Sequence, residues 1–349
     1  MKFSLFLHIE SVGRNDDYAA LYGEFIDLCK MADDGGFDAV WVGEHHGMGF
    51  TVSPNPFLIL ADLAKQTKNV RLGTGAIVAP FWHPIKLAGE AAMCDLITKG
   101  RLDIGIARGA YRFEYERLAG DMDGWKAGQC LREIIPAIKN LWRGDYTHNG
   151  EYWRFPKTSA VPQTFQKPHP PIWVAARDPN SHEFAVVNGC HVQVTPLWQG
   201  DEEVELLMQR FNAAVEKTGF TPRPEIMLLR HTYVGGDLSD VENAASSLSR
   251  FFCYFAEWFK NEREIEQGVM APLSDAEMAT MDNYSPQKMC TQNVVGLADE
   301  VIARLRHYEK LGYTQYSFWM DNGMNFEQKR DSLRRFIDDV MPAFAVKEA

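Results

Sequence analysis

The stretch that decides the fold reads Trp-Val-Gly-Glu-His-His-Gly and occupies residues 41–47. It ends an apolar run, residues 39–42, which stops abruptly at an acid and two imidazoles. In a parallel α/β protein such a run is a strand buried on both faces. The polar residues after it then lie at the carboxyl end of the strand, where α/β folds have their active-site and ligand-binding residues. Because a lone His-His pair is more often part of a solvated turn, the interpretation depends on the rest of the chain.

The same alternation of apolar runs and helical periods continues along the chain. The strand candidates are residues 3–9, 38–42, 71–78, 102–107, 172–176, 191–195, 226–234 and 315–319. The helix candidates are residues 17–35, 55–68, 84–98, 128–141, 180–188, 202–218, 296–311 and 325–340. Eight strands, each followed by a helix or a helix-containing excursion, predict an α/β fold of the (β/α)8 TIM barrel type. We expect one domain, residues 1–349.

Two connections are longer than a barrel needs, so we expect insertions after strands 4 and 7. The first, residues 110–158, contains an aromatic segment at 150–155 that is typical of a hairpin arm. The second, residues 238–289, contains an aromatic helix and a Met-, Asp- and Ala-rich segment at 270–283. That segment is a candidate mobile lid, and a surface excursion without a role is the alternative.

Composition limits the classes of partner and compartment. The chain has 36 basic and 47 acidic residues, a net charge of −11, which disfavours nucleic acid and anionic membranes as partners. No apolar run approaches about 20 residues, and the N-terminus lacks a signal-peptide layout. The six cysteines show no Cys-x-x-Cys spacing, which indicates reduced thiols and a cytoplasmic protein.

A resemblance to a known family rests on several short motifs in a fixed order. They are Gly36-Phe37-Asp38, residues 41–46, Gly73-Thr74-Gly75-Ala76, His83-Pro84, Lys99-Gly100-Arg101, residues 105–109, residues 171–183, and Phe318 with Asp321-Asn322-Gly323. With these motifs the chain resembles the bacterial luciferase-like flavin-dependent monooxygenase family over nearly its whole length. The resemblance implies an oxidoreductase that binds reduced FMN at the C-terminal face of the barrel and reacts it with O2 to a flavin hydroperoxide. A small organic substrate is then oxygenated.

The resemblance also implies partners. Many members of the family take reduced flavin from a separate NAD(P)H:flavin reductase, and the family usually forms homodimers through helices early in the barrel. We therefore expect a reductase partner and a homodimer. The substrate class stays open, and light emission does not follow from the resemblance.

The Glu-His-His motif supplies the candidate catalytic residues, His45 and Glu44. The resemblance implies that His45 faces the flavin and acts as an acid/base or stabilises the oxygen intermediate. Imidazole suits this task because its unperturbed pKa is about 6.5. Glu44 either holds the second ring nitrogen of His45 or caps the next loop, and both interpretations stay open. His46 is interpreted as a packing or orienting residue.

Gly75, Ala76 and Arg108 are the first cofactor-binding candidates. The resemblance implies a non-proline cis peptide at Gly75-Ala76 against the flavin ring, with an ordinary strand of small residues as the alternative. It also implies that Arg108 binds the flavin phosphate, for which a guanidinium is suited. One such pair gains about 4 kcal/mol at an effective dielectric near 20. A micromolar complex needs roughly 8 kcal/mol, so we expect help from a helix N-terminus.

The loop of Arg177, Asp178 and Ser181 precedes a helix and completes the cofactor-binding candidates. Free backbone N–H groups are expected there, and Ser181 matches a hydroxyl position of the family's phosphate loop. Asp178 departs from that pattern because its charge repels a phosphate unless Arg177 neutralises it or it caps the helix. Barrels in general bind phosphate after strands 7 and 8, where Gly235-Gly236 lies, but we follow the family.

An apolar pocket that excludes water is expected near these residues. The substrate-pocket candidates are His8, Phe50, Trp82, Trp198 and Trp319. His8 either contacts substrate or forms a core hydrogen bond. No metal is expected, because the chain has no His-x-His pair and no Asp cluster at the other strand ends.

Two other functions on the same barrel stay open. A deazaflavin-dependent hydride-transfer enzyme would use no oxygen, and a non-catalytic flavin-binding protein would not need His45. The Glu-His-His motif favours the monooxygenase.

Overall fold

The computed structural model describes residues 1–11, 13 and 16–345, which form thirteen strands and twelve α-helices. The strands are β1 (Lys2–Phe6), β2 (Ala39–Val42), β3 (Arg71–Val78), β4 (Leu102–Ala107), β5 (Tyr146–Asn149), β6 (Arg154–Thr158), β7 (Ile172–Ala175), β8 (His191–Val194), β9 (Ile226–Val234), β10 (Ile265–Glu266), β11 (Val269–Met270), β12 (Val294–Gly296) and β13 (Gln315–Trp319). The helices are α1 (Tyr18–Asp34), α2 (Pro56–Gln66), α3 (Pro84–Ile97), α4 (Arg112–Leu118), α5 (Gly124–Arg143), α6 (Pro179–Val187), α7 (Asp201–Thr218), α8 (Leu238–Lys260), α9 (Asp275–Met278), α10 (Pro286–Gln292), α11 (Ala298–Leu311) and α12 (Phe326–Arg335).

Eight of the strands close into a parallel barrel. Their order is β1, β2, β3, β4, β7, β8, β9 and β13, and β13 pairs with β1. The predicted (β/α)8 TIM barrel is confirmed. The long connections follow the fourth and seventh barrel strands, β4 and β9, as expected.

The interior of the barrel depends on glycines at points of close approach. A Cβ on Gly73 would lie 2.1 Å from the indole of Trp41 on the neighbouring strand. A Cβ on Gly105 would lie 2.1 Å from the carbonyl oxygen of Thr74. The register between β3 and β4 shifts after Thr74, and the Gly75-Ala76 peptide beside the shift is cis. The two glycines of β3 therefore leave room for aromatic side chains of the neighbouring strands, since a Cβ on Gly75 would lie 2.8 Å from the ring of Phe6.

Polar side chains begin several helices where the sequence indicates. Asp17 accepts hydrogen bonds from the backbone of the first turn of α1, and Asn55 accepts from Phe57 N at the start of α2. The structure differs from prediction at several bounds. Strand β1 ends at Phe6 rather than 9, helix α5 begins at Gly124 rather than 128, and helix α12 ends at Arg335 rather than 340. Strand β12 was not predicted and includes residue 296 of the predicted helix 296–311, and residues 150–153 form the turn between β5 and β6.

Two apolar clusters pack on opposite faces of the barrel wall. One fills the space between the strands and the surrounding helices. The other lies inside the barrel and continues onto the aromatic face of α8, where Phe255 and Trp258 contact Phe50. Helix α8 therefore covers part of the barrel mouth. Within the described residues, no helix combines the length and apolar character needed to cross a membrane.

Candidate active site

Three imidazoles meet at the carboxyl ends of the barrel strands. His8 follows β1, His45 follows β2, and His231 lies in β9. The ring centroids of His8 and His45 are 6.0 Å apart. Trp319 at the end of β13 lies 6.0 Å from His8 and stacks on His231 at 3.9 Å. The structure thus places the predicted residues His8, His45 and Trp319 together.

His45 is held by a carboxylate from a distant part of the chain. Its Nδ1 lies 3.0 Å from Glu114 Oε2, and the other oxygen of Glu114 accepts the backbone N–H of His46. Because a carboxylate only accepts hydrogen bonds, we assign the ring proton to Nδ1. The Nε2 atom is then free to accept a proton. Glu114 was not among the predicted residues, and the only sequence signal for it is its position in the insertion after β4.

Glu44 does not contact His45, so the first of its two predicted roles is wrong. Its carboxylate accepts hydrogen bonds from Val78 N at 2.8 Å and from Trp82 Nε1 at 2.9 Å. It also bonds His46 Nε2 at 2.8 Å, and this hydrogen bond raises the pKa of His46. Glu44 therefore joins the loop after β2 to the end of β3. The predicted orienting role of His46 fits this placement.

The five substrate-pocket candidates divide between two places. Phe50 packs against His45 and the Tyr111 ring, inside the mouth. Trp82 packs outside the barrel against Phe57 of α2, because its indole turns back to Glu44. The structure therefore does not bring Trp82 to the mouth. Trp198 lies at the rim, where it contacts Phe259 of α8 and Tyr284.

His8 forms the core hydrogen bond that one of its two interpretations predicts. Its Nδ1 lies 2.9 Å from Asp321 Oδ2, and its backbone N–H donates to the same carboxylate. Its Nε2 points toward Gly43, where a Cβ would approach it to 2.8 Å. Burial lowers the pKa of His8 although Asp321 opposes that shift. Contact with a substrate stays a prediction.

His231 is a mouth residue that the sequence analysis missed. Asn322 donates from Nδ2 to the Thr232 carbonyl at 2.8 Å, which turns its Oδ1 toward His231 Nδ1 at 3.2 Å. The Nδ1 atom of His231 must therefore carry the proton, and its buried Nε2 has no partner among the described residues. Burial lowers the pKa of His231 to about 3. The ring is thus a neutral hydrogen-bond acceptor.

Small residues form an open floor beside the imidazoles. Gly75 and Ala76 of β3 and Ala107 of β4 are half-buried, and Ala175 at the end of β7 is exposed. Gln193 reaches across from β8, and its buried Nε2 has no partner among the described residues. The floor therefore offers room for a flat ring and one unpaired amide donor at its inner edge.

Arg108 and Arg177 stand at the opposite rim of this floor, and both are exposed. One nitrogen of Arg108 donates to the Gly124 carbonyl at 2.9 Å. Arg177 bonds the side chain of Gln199 and lies 3.6 Å from Glu203. Both guanidinium groups keep further donors directed to solvent, so they can bind an anion.

The backbone N–H groups expected to be free at the start of α6 are not all free. Asp178 caps the helix, accepting from Asn180 N at 3.0 Å and from Ser181 N at 3.1 Å. Burial would raise the pKa of Asp178, but these bonds and the Ser181 hydroxyl lower it. The Ser181 hydroxyl donates to the Asp178 carbonyl and accepts from Arg177 N. Of the two roles considered for Asp178, the structure has it as the helix cap.

Residues 265–284 lie along the outer side of the mouth. The Gly49 N–H donates to the Gly268 carbonyl at 2.7 Å, and β11 is buried beside it. Arg263 ties the segment to itself through Glu277 and the Pro272 carbonyl. The candidate lid at 270–283 thus starts at the mouth, and its movement stays a prediction.

These residues fit a flavin mononucleotide. The small-residue floor suits the ring system, the unpaired Gln193 amide suits a ring carbonyl, and the arginine rim suits a phosphate. The imidazoles face the same floor from the other side. Among the described residues, no cluster of three or more His, Cys, Asp or Glu side chains could hold a metal ion.

Comparisons with known proteins give four matches: one sequence profile, one relative and two solved structures. A sequence profile described as luciferase-like monooxygenase matches residues 1–315. The oxygenase component of a flavin-dependent trigonelline monooxygenase from Acinetobacter baylyi is 64% identical over 345 residues, covering 99% of this chain and 96% of that protein. Monooxygenase RslO1 from Streptomyces bottropensis has a TM-score of 0.80 at 28% identity, covering 99% of this chain and all of that one. The oxygenating constituent of 3,6-diketocamphane monooxygenase from Pseudomonas putida, solved with FMN, has a TM-score of 0.77 and covers 98% of both chains. At 19% identity it bears on the fold alone.

Proposed function

Because this chain belongs to the luciferase-like monooxygenase family and is a flavin-dependent monooxygenase, we propose that it is the oxygenase component of a two-component system that oxidises trigonelline. Reduced FMN from a separate NAD(P)H:flavin reductase and O2 are its co-substrates. The 64% identity to the Acinetobacter baylyi protein, over nearly the full length of both chains, supports the substrate and the reductase. The enzyme is proposed to be cytoplasmic, which its six free cysteines support.

The observation that carries the proposal is the order of the strands: His45 follows β2 and Arg108 follows β4, and between them lies β3 with the small residues Gly75 and Ala76. Arg108 and Arg177 would hold the phosphate of FMN, and Gly75 and Ala76 would lie against its ring. Reduced FMN supplies two electrons to O2, so that one oxygen atom enters the substrate and the other leaves as water. A cofactor placed in this way brings the oxygen chemistry next to the imidazoles.

The protein's own groups handle protons and water. Glu114 holds His45 with its Nε2 unprotonated, so this atom can accept a proton and later return it. The aromatic face of α8 and Phe50 cover the same space and exclude bulk water. Exclusion of water favours transfer of oxygen to the substrate over release of hydrogen peroxide.

The aromatic side chains of the mouth also suit the proposed substrate. Trigonelline is a planar N-methylpyridinium carboxylate, and aromatic faces attract such a quaternised nitrogen. Phe50 and Tyr111 lie 6.0 Å apart beside His45, and Trp319 lies across from them next to His8. These rings would orient the pyridinium plane over the cofactor.

The proposal includes a homodimer formed through α2 and α3, which pack side by side. These two helices expose large apolar side chains on the surface: Leu58, Met93, Leu96 and Ile97. Such a patch is typical of an interface between copies. Light scattering should give a dimer that Met93→Glu splits, whereas Leu238→Glu, a change at an exposed apolar position on α8, should leave it intact. A wild-type monomer would contradict the dimer.

Anaerobic titration of the protein with reduced FMN, followed by mixing with O2 and trigonelline, tests the function. We expect saturable binding, O2 consumption that rises with trigonelline, and an oxygenated product. Binding of a deazaflavin with no O2 use would support the hydride-transfer alternative instead. Tight binding of oxidised FMN with no turnover, in wild type and His45→Ala alike, would support a non-catalytic protein.

A further inference from the structure

We propose that His8 is a second acid–base residue of the oxygenation, positioned by Asp321 and by the Lys329–Glu10 pair behind it. The proposal rests on the proposed function, because it requires a substrate above the floor at Gly75. It adds a proton-accepting group that the luciferase-like motif at residues 44–46 does not contain.

The first argument is that His8 repeats the arrangement of His45. Each ring is bonded through Nδ1 to a buried carboxylate, at 2.9 Å to Asp321 and at 3.0 Å to Glu114. The two ring centroids are 6.0 Å apart, so both can face one bound molecule.

The second argument is the tautomer of His8. Asp321 accepts from the His8 backbone N–H and from Trp319 Nε1 at 2.8 Å, in addition to the ring. Burial would raise the pKa of Asp321, but His8 and Lys329 outweigh burial and lower it. Asp321 is therefore an ionised acceptor, and Nδ1 of His8 carries the ring proton. The Nε2 lone pair is directed toward Gly43, on the side of His45.

The third argument is the charge behind Asp321. Lys329 Nζ lies 3.9 Å from Asp321 Oδ1 and is hydrogen-bonded to Glu10. Both side chains are largely buried, in the wall of a cavity of about 800 Å³. With Glu10 ionised, two carboxylates, one ammonium and a neutral His8 sum to −1, so uptake of one proton makes the group neutral. This net negative charge opposes the desolvation that lowers the pKa of His8.

The charges that face this group come from several elements. Burial raises the pKa of Glu10 to about 7, against the attraction of Lys329. Glu24 of α1 and Arg250 of α8 line the same cavity, and Arg250 is paired with Asp275. On the inner side His45 and His231 are the neighbouring titratable rings. Asp321 raises the pKa of His8 and so makes the ring a stronger base. Lys329 lowers the pKa of His8 and makes it a weaker one.

The proposed step is a proton transfer that balances. As oxygen is attached to a substrate carbon, the C–H bond there breaks and its proton forms a bond to His8 Nε2. The electron pair of that C–H bond stays with the substrate. The proton then returns to the oxygen atom that leaves as water. O2 and reduced FMN, which would supply two electrons and two protons, are the only other reactants, and one water molecule is released for each oxygen atom attached.

The test compares His8→Gln, Glu10→Gln and Lys329→Met with wild type in the full reductase-coupled reaction with trigonelline. We expect His8→Gln to bind reduced FMN within about threefold of wild type but to lose at least tenfold in product formed per O2 consumed. Because Lys329 lowers the pKa of His8, Lys329→Met should move the acid limb of the turnover profile to higher pH. Glu10→Gln should leave the acid limb nearly unchanged, because Glu10, with a pKa raised to about 7, is itself protonated on that limb. A role in folding alone would not shift the pH profile in Lys329→Met and spare it in Glu10→Gln.

The matched control is His148→Gln. His148 Nε2 lies 2.8 Å from Glu133 Oε1 in the hairpin of β5 and β6, a histidine–carboxylate bond remote from the mouth. It should keep the coupling ratio and the pH profile of wild type. Wild-type coupling in His8→Gln would overturn the proposal.

A second measurement does not depend on the substrate. Long-range 1H–15N spectra of the histidine rings should report His8 as the Nδ1–H tautomer in the wild-type protein. An Nε2–H tautomer would overturn the inference even if trigonelline is the substrate. A wild-type enzyme that turns over no trigonelline while His8 shows the expected tautomer would overturn the proposed substrate and leave the placement of His8 supported.

Discussion

The two sides of the barrel mouth are built in opposite ways. On the arginine side, Arg108 and Arg177 are exposed, and among the described residues the Arg108 guanidinium has a single hydrogen bond, to the Gly124 carbonyl. On the imidazole side, His8 and His231 are buried and His45 is only 18% exposed. Each of these three rings is fixed by a side chain that is distant in sequence. The arginine side is adjustable, and the imidazole side is preorganised.

The difference follows from what each side has to do. Capture of a phosphate from solution needs charge and reach, which exposed guanidinium groups provide at little structural cost. Proton transfer needs a defined tautomer at a defined position, and a mobile imidazole loses most of that advantage. Buried carboxylates such as Glu114 supply the position, because they would be costly to leave unpaired.

The largest expected effect is on the imidazole side. His45→Ala removes the proton-accepting Nε2, and general acid–base groups contribute about 10²- to 10⁴-fold. We expect turnover to fall by at least about 100-fold with the affinity for reduced FMN nearly unchanged. Glu114→Gln should lose part of the same activity, because an amide can bond Nδ1 in either tautomer.

The matched control for His45→Ala is His46→Ala. His46 is bonded to Glu44 on the outer side of the loop and does not face the floor. We expect less than a tenfold loss of turnover. Equal losses in the two variants would mean that the motif acts as a structural unit, and the contrast between the two sides of the mouth would be wrong.

The pH dependence of stability tests whether water is excluded from the imidazole side of the mouth. The pKa of His231 is lowered to about 3, whereas an unfolded histidine titrates near 6.5. Below pH 6.5 the unfolded state therefore binds more protons than the folded state, and the free energy of unfolding decreases as the pH is lowered. Between pH 7 and pH 5 this one ring should cost about 2 kcal/mol of unfolding free energy.

Denaturant unfolding at the two pH values measures this effect. His231→Gln should reduce the loss between pH 7 and pH 5 by about 2 kcal/mol relative to wild type. His307→Gln, at a half-exposed position on α11, should leave the loss unchanged. If His231→Gln and wild type lose the same unfolding free energy between pH 7 and pH 5, the His231 ring is solvated and water reaches the imidazole side.

The sequence predicted the barrel because its physical signals are local. Runs such as residues 71–78 and 226–234 are apolar enough to be buried on both faces, and the structure has strands with those bounds. Arg108 and Ser181 could be assigned to the rim for the same reason: each directly follows a strand or begins a helix. Position along the chain is sufficient for such residues.

The partners of the imidazoles could not be predicted in this way. Glu114 lies 69 residues from His45, and Asp321 lies 313 residues from His8. These contacts exist only once the barrel has closed, so no local pattern contains them. The prediction that Trp82 lines the substrate pocket was wrong for a related reason. The direction of its side chain is set by its hydrogen bond to Glu44 and not by its position in the sequence.

On the arginine side we expect a smaller effect, on affinity alone. Arg108→Ala should weaken binding of reduced FMN about tenfold, because a charge-assisted hydrogen bond at an exposed position contributes about 1.5 kcal/mol. The loss should shrink as salt is added. Arg112→Ala is the control, since Arg112 is paired with Glu116 at the surface. A loss of turnover at saturating FMN in Arg108→Ala would contradict a purely electrostatic role.

Asp178 offers the smallest and most discriminating change. Asparagine caps a helix about as well as aspartate, so Asp178→Asn should unfold at the wild-type denaturant midpoint, whereas Asp178→Ala should lose about 1 kcal/mol. If the phosphate of FMN lies beside the start of α6, removal of the aspartate charge should strengthen binding by about two- to threefold, an effect that disappears at high salt. Unchanged affinity at low salt would place the phosphate nearer Arg108 than Arg177. Because the cap is kept and only the charge is lost, Asp178→Asn separates the electrostatics of the rim from its structure.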